Sequence, residues 1–341
     1  MEINLISDTV TTPTKGMLAA MMSAKVGDDV FKEDATVNAL EEKTAALFGM
    51  EAALFFPSGT MANQTAIKVH TQPGEQLICD HYAHIFNYEG GGVSFNSGVS
   101  CKLIAGHRGM ITAKQVKAAI NPPDFYHSPL TTLVCLENTT NKGGGACYEM
   151  DEIIKIKKVC QEHNLGLHLD GARLMNAIVA NKEDPKHYGN VFDTISVCLS
   201  KGLGAPMGTV LIGNSSLMKN AIRVRKVLGG GMRQVGFMAA AGLYAMEHQV
   251  DRLEEDHQKA KQIALHLESL SYIKKVEPTQ TNIVIFYMQE GLNQEDFINA
   301  LAAKNIRISD MGQGKLRVVT HHDYTSKMHS VFLDSLTAYK H

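Results

Sequence analysis

Seven short apolar runs constrain this fold more than any other feature of the chain: "AALFFP", "EQLICD", "CKLIAG", "TTLVCLE", "LGLHLD", "FDTISVCLS" and "GTVLIG". Most are continuous rather than alternating, which is the pattern of strands covered on both faces. Helical stretches lie between many of them, such as "YEMDEIIKIKKVCQEHN" after the fourth. Ahead of the first, "ATVNALEEKTAALFG" puts Val37, Leu40, Thr44, Leu47 and Phe48 on one helical face. Asp34 is placed to cap that helix and Gly49 to end it. Continuous apolar strands separated by helices predict an α/β fold: a mostly parallel central sheet with helices on both faces.

With 341 residues the chain exceeds the size at which one core stops growing. Its texture changes near residue 250. The charged helix "DRLEEDHQKAKQIALHLESL" is followed by "TNIVIFYM", "NQEDFINALAAKNI", "GKLRVVT" and a helix near "HSVFLDSL". The expected division is an N-terminal arm and large domain over 1–250 and a small C-terminal α/β domain over 251–341. A net charge of −2 and a pI near 6.7 offer nothing to nucleic acid or an anionic membrane. No apolar run approaches a membrane span. The opening "MEINLISDTVTTP" has no basic and apolar leader pattern, so a cytoplasmic protein is expected. The six cysteines show no C-x-x-C spacing. They read as reduced, mostly buried small apolar residues, and no metal site is expected.

Ligands of an open parallel sheet bind beyond the carboxyl ends of its strands, so the residues that end each strand carry the chemistry. In "FFPSGTMANQ", Ser58, Gly59 and Thr60 lead from a strand into a helix. Such a turn is either a plain cap or a cradle of backbone N–H groups for a phosphate. In "LGLHLDGARL", His168 and Asp170 share a strand face, and Asp170 needs a partner if buried. Read alone, Asp170 is either a functional acid or half of a structural pair with Arg173. In "SVCLSKGLGAP", Lys201 leaves a buried strand into a turn with little side-chain bulk. It is either a lysine reaching for solvent or a desolvated amine able to attack a carbonyl. The neighbouring "GLGAPMG" has the wrong spacing for a dinucleotide fingerprint, and Pro206 interrupts the helix that would follow. Together the cradle, the acid and the lysine are what pyridoxal 5′-phosphate requires: anion site, partner for the ring nitrogen, and amine for the aldehyde.

The chain resembles the threonine aldolases of the fold-type I pyridoxal-phosphate enzymes, within the β-eliminating lyase group. The resemblance runs through "LISDTVTTPT", "VGDDVFKEDATVNALEEKTAALFG", "FFPSGTMANQ", "DHYAHIFNYEGGG", "LVCLENTTNKGGG", "LHLDGARL", "SVCLSKGLGAPMGTVLIG", "KVLGGGMRQVG" and "GKLRVVTHH". It implies cleavage of L-threonine, L-allo-threonine and related β-hydroxy-α-amino acids to glycine and an aldehyde. It implies an internal aldimine on Lys201, Asp170 on the pyridinium nitrogen, and His84 stacked on the ring. Ser58, Gly59 and Thr60 would hold the phosphate, with Lys226 and Arg233 reaching a phosphate across a subunit boundary. Ser7, Arg173 and Arg317 would bind the substrate carboxylate, and His127 would lie near the substrate hydroxyl. The base is left open among His127, His84 and a phosphate-held water. A homodimer is the implied minimum and a homotetramer the usual assembly. Where many relatives carry a histidine after "ENT", this chain has Thr139 and Thr140, which predicts weak discrimination at Cβ.

Two other readings are kept. One is a β-eliminating lyase acting on an amino acid with a leaving group at Cβ. The other is a cofactor-binding regulator without turnover, for which no basic helix-turn-helix stretch is present.

Overall fold

The computed structural model describes residues 1–340. All the apolar runs of the large domain become strands: β1 (Ala52–Phe56), β2 (Gln76–Asp80), β3 (Ser100–Ile104), β4 (Thr131–Glu137), β5 (Gly166–Gly171), β6 (Thr194–Cys198) and β7 (Thr209–Gly213). They form one seven-stranded sheet in the order β1-β7-β6-β5-β4-β2-β3. Strands β2 to β6 pair in parallel, whereas β7 runs against both of its neighbours, β6 and β1. The exception has a simple cause. Residues 199–208 join β6 to β7 by a turn with no crossover helix, and only an antiparallel return closes so short a link.

The helix Ala35–Phe48 starts on Asp34, whose carboxylate accepts from Thr36 and Val37 N–H, and ends on Gly49 at φ 65°. Its buried face carries Val37, Leu40, Thr44 and Phe48 as the spacing predicts, but Glu41 and Ala45 fill it out while Leu47 stays half-buried. Glu41 is there because it accepts the Phe55 N–H of β1 at 2.8 Å, tying helix to sheet.

A second sheet, β8 (Ile273–Val276), β9 (Ile283–Met288), β10 (Ser309–Asp310) and β11 (Leu316–Val319), is antiparallel in the order β10-β11-β9-β8. The main apolar cluster reaches from Met17 to Leu253, and the second gathers residues from Ala260 to Leu336. The chain start departs from that division. Ile3 and Leu5 pack in the second cluster, and Ile3–Asn4 pairs in parallel with Ile306–Arg307. The arm then carries Ser7 and Asp8 to the carboxyl edge of the large sheet. No helix among the described residues is long and apolar enough to cross a membrane.

Candidate active site

Two adjoining cavities lie at the carboxyl edge of the sheet. The first, about 310 Å³, is walled by Ser58, Gly59, Thr60, Asn63, Glu89, Asp170 and Ser196. The second, about 420 Å³, is walled by Ser7, Tyr88, Asn141, Arg173 and Arg317. Lys201 and His84 border both. Each element contributes at the point where it leaves the sheet: Ser58–Thr60 after β1, His84 after β2, Asp170 within the end of β5, and Lys201 in the turn after β6.

In the first cavity, Ser58 Oγ accepts the Met61 N–H and caps the helix Gly59–His70, leaving the Gly59 and Thr60 N–H groups for an anion. A Cβ built on Gly59 would meet nothing nearer than Thr209 Oγ1 at 3.6 Å, so the protein's own packing does not demand glycine here. The space suits a ligand. Asp170, 4% exposed, accepts from Asn63 Nδ2 at 2.9 Å and from the Ala172 N–H at 3.1 Å. The buried Asn63 is the hub of the floor. It also donates to Glu89 at 2.9 Å and accepts from Ser196 Oγ at 2.8 Å and His168 Nε2 at 3.2 Å. Nothing in the sequence marks Asn63; only the turn of its helix above β5 and β6 brings it under the cavity. An anion cradle, a buried carboxylate and an amine with no ion pair among the described residues form a donor set that fits pyridoxal 5′-phosphate.

His84 Nδ1 lies 3.0 Å from Glu89 Oε1, and Glu89 Oε2 accepts from Gln64 at 2.6 Å. Burial alone would lower the imidazole pKa, but Glu89, Asp170 and Glu137 reverse this and raise it. The buried Glu137 accepts the His84 N–H at 2.8 Å and the Asn141 N–H at 2.7 Å, so one carboxyl ties both cavity walls together. Burial and then the charge of Asp170 push its pKa from 4.5 to about 7. Between those values the folded apoprotein holds a proton that the unfolded chain has released. Its stability therefore falls as pH rises through that window and stays at the lower level above it. His84, with its raised pKa, acts in the same direction. Denaturant titrations of the apoprotein across this range should show the decline, and Glu137→Gln should flatten it; an equal slope in both proteins would contradict the assignment.

In the second cavity, Arg173 corrects one expectation. Its partner is not Asp170 but Asp8 of the arm, which takes Nε at 2.8 Å and Nη2 at 2.6 Å. Asn282 Nδ2 adds a bond to the same carboxylate at 3.1 Å. Burial would raise the Asp8 pKa, yet Arg173, with help from Lys201 and Asn282, holds it at about 2. The fork of Arg173 is therefore already occupied. Arg317 differs. It is 8% exposed and bonds only neutral oxygens: Asn141 Oδ1 at 2.8 Å and Ile6 O at 2.9 Å. Burial and the neighbouring Arg173 lower its pKa to about 10. Lys142 and Lys201 share that wall, likewise without an ion pair among the described residues, and Arg317 is the one of the three with a planar fork for two oxygens. Ser7 borders the cavity, and its Oγ accepts the Thr9 N–H at 3.2 Å.

Other expected residues stand apart within one chain. His127 is exposed in the loop ahead of β4, against Phe125 and Tyr126 and at the amino edge of the sheet. Lys226 is exposed, and Arg233 pairs with Asp28 at 2.8 Å. None of the three borders either cavity. Thr139 and Thr140 are buried, Thr140 Oγ1 donating to Arg108 O at 2.9 Å, and it is Asn141 that faces the cavity.

The model of a beta-eliminating lyase family matches residues 4–291. A low-specificity L-threonine aldolase 1 of Arabidopsis thaliana is 40% identical over 95% of this chain and 92% of its own length. A low specificity L-threonine aldolase of Escherichia coli K12 is 41% identical over 94% of each chain. Among solved structures, a Leishmania major threonine aldolase superposes with a TM-score of 0.85 at 20% identity over 98% of both chains. A Sphingomonas wittichii serine palmitoyltransferase does so at 0.75 and 15% identity, over 98% of this chain and 86% of that one.

Proposed function

Because this chain belongs to the beta-eliminating lyase family, with relatives named low-specificity L-threonine aldolases along nearly its whole length, we propose that it is a pyridoxal-phosphate-dependent aldehyde-lyase. It cleaves L-threonine, L-allo-threonine and other β-hydroxy-α-amino acids to glycine and an aldehyde. The observation that carries this reading is the position of Lys201 and His84, which border both the cavity holding the anion cradle and the cavity holding Arg317.

The cofactor, when bound, supplies an aldehyde for an amine and a ring that accepts the electron pair of the broken Cα–Cβ bond. The chain's own residues do the rest. Ser58, Gly59 and Thr60 bind the phosphate. Asp170, kept in place by Asn63, would pair with the ring nitrogen. Lys201 offers its amine, which makes no ion pair among the described residues. Arg317 takes the substrate carboxylate, and Ser7 and the remaining nitrogen of Arg173 complete its seat. Fixing the carboxylate fixes which bond at Cα is presented for cleavage. Of the three candidate routes for the β-hydroxyl proton, His84 is the one with a side chain on the cavity wall of this chain. Glu89 holds its Nδ1 and leaves Nε2 to the proton.

We assign the assembly as a homodimer at least, in keeping with a homotetramer. Met22, Phe31, Phe95 and Val227 are large apolar residues at 82%, 68%, 89% and 86% exposure. Val227 adjoins Lys226, and Phe31 follows the Asp28–Asp29 segment that bonds Arg233, two residues that a second copy would bring to its neighbour's phosphate. All six cysteines are unpaired, which suits the reducing cytoplasm.

Incubation of the purified protein and cofactor with L-threonine decides the reaction. Glycine and acetaldehyde in equal amounts are expected. 2-Oxobutanoate with ammonia would instead establish elimination at Cβ.

A further inference from the structure

Tyr88, Lys142 and Met311 line both the Arg317 cavity and an adjoining annex of about 200 Å³ that the reaction on threonine leaves unused. The annex is completed by Tyr82, Asn87, Gln313 and Lys315. The charge in it is one-sided. Lys142 Nζ stands 5.5 Å from the Tyr88 ring centre and Lys315 Nζ 5.3 Å from that of Tyr82. Neither lysine makes an ion pair among the described residues, and no carboxylate lines the space. A tyrosine ring attracts an ammonium but carries no net charge, so two positive charges stay uncompensated. Asn87 spends its amide hydrogens on His81 O and Ala83 O at 2.9 and 3.0 Å. Asp310, which lines the Arg317 cavity but not the annex, accepts the Gly312 N–H at 2.7 Å, and Asp80 accepts the Tyr82 N–H at 2.7 Å. Both lysines are half-buried, which strengthens their pull on an anion relative to fully solvated lysines.

We propose that this annex is a subsite for a carboxylate at the far end of the substrate's side chain. The proposal rests on the aldolase reading above. The favoured substrates are then β-hydroxy-α-amino acids with an acidic tail one or more methylenes beyond Cβ. The α-carboxylate is seated at Arg317 and the distal carboxylate between Lys142 and Lys315. The bond change is the same as for threonine: Cα–Cβ breaks, the β-hydroxyl loses its proton as the aldehyde forms, and Cα gains one. For 2-amino-3-hydroxyadipate the products are glycine and 4-oxobutanoate, with every atom accounted for.

The test compares 2-amino-3-hydroxyadipate with its neutral 6-amide on the holoprotein. At low salt kcat/KM should favour the acid by about tenfold, and the preference should shrink as salt rises. Lys315→Gln and Lys142→Gln should each reduce the preference several-fold. Lys315, which does not border the threonine cavity, should leave turnover of L-threonine within about twofold when replaced. Calorimetry with the unreactive 2-aminoadipate against 2-aminohexanoate gives a second reading that needs no catalysis: the acid should bind more tightly to the wild type, and not to Lys315→Gln. The annex is refuted if acid and amide are equal in the wild type, or if the preference survives both substitutions. A protein that cleaves no β-hydroxy-amino acid overturns the aldolase reading instead, and the calorimetric comparison still judges the annex.

Discussion

Lys201→Ala should remain folded and lose at least about a thousandfold in kcat, the scale on which removing a covalent nucleophile acts. Borohydride should fix pyridoxal 5′-phosphate to the wild-type chain and not to the variant. The fold should tolerate the change because the Lys201 amine makes no ion pair among the described residues and acts on Asp8 only as a minor charge beside Arg173, while its backbone oxygen, which accepts Thr11 Oγ1 and the Gly204 N–H, is untouched by the substitution. The buried Asp8 keeps its bidentate bond to Arg173. A denaturation midpoint close to that of the wild type would therefore accompany the lost activity. Covalent trapping in Lys201→Ala would assign the amine to another residue and take the proposed chemistry with it.

Asp8→Ala should show the reverse balance, a protein crippled first in stability. Arg173 is 5% exposed and its carboxylate partner is fully buried. Removing that partner leaves a buried guanidinium charge beside Arg317, which already sits close enough to depress the pKa of Arg317. Breaking one side of a buried ion pair costs about 3–5 kcal/mol. The arm would lose its bonds to both Arg173 and Asn282, because the Asp8 carboxylate accepts from each. Urea unfolding of the apoprotein measures the loss. The same pair gives a pH signature: with its pKa lowered from 3.8 to about 2, Asp8 contributes stability that is complete above about pH 4 and disappears as pH falls through about 2. A wild-type midpoint in Asp8→Ala would show that Arg173 finds another acceptor and that the arm is held by its apolar residues alone.

Much of the site was legible because strand ends announce themselves. Asp170, Lys201 and Ser58–Thr60 each close an apolar run, and a parallel sheet delivers all such ends to one edge. His84, which entered only through the family resemblance, also lies just after β2. The pairing of Arg173 was not legible, since nearness in sequence pointed to Asp170. Asp170 lies on the strand and faces Asn63, while Arg173 begins the next helix and turns to the arm. Nor could sequence assign Glu89, Glu137 and Asn63 to the floor: each reads as an ordinary polar residue until the fold stacks it under the cavity.

The amino-acid sequence by itself determined most of the secondary elements, the mostly parallel sheet and the edge at which the candidate residues gather. Those follow from periodicity, caps and the rule that strand ends converge. Tertiary structure alone decided which charges neutralise each other, leaving Arg317 and the annex lysines without carboxylates while Arg173 is matched by Asp8. Charge compensation depends on distances of a few ångströms between segments far apart in the chain, and such distances are set by packing rather than by any local pattern.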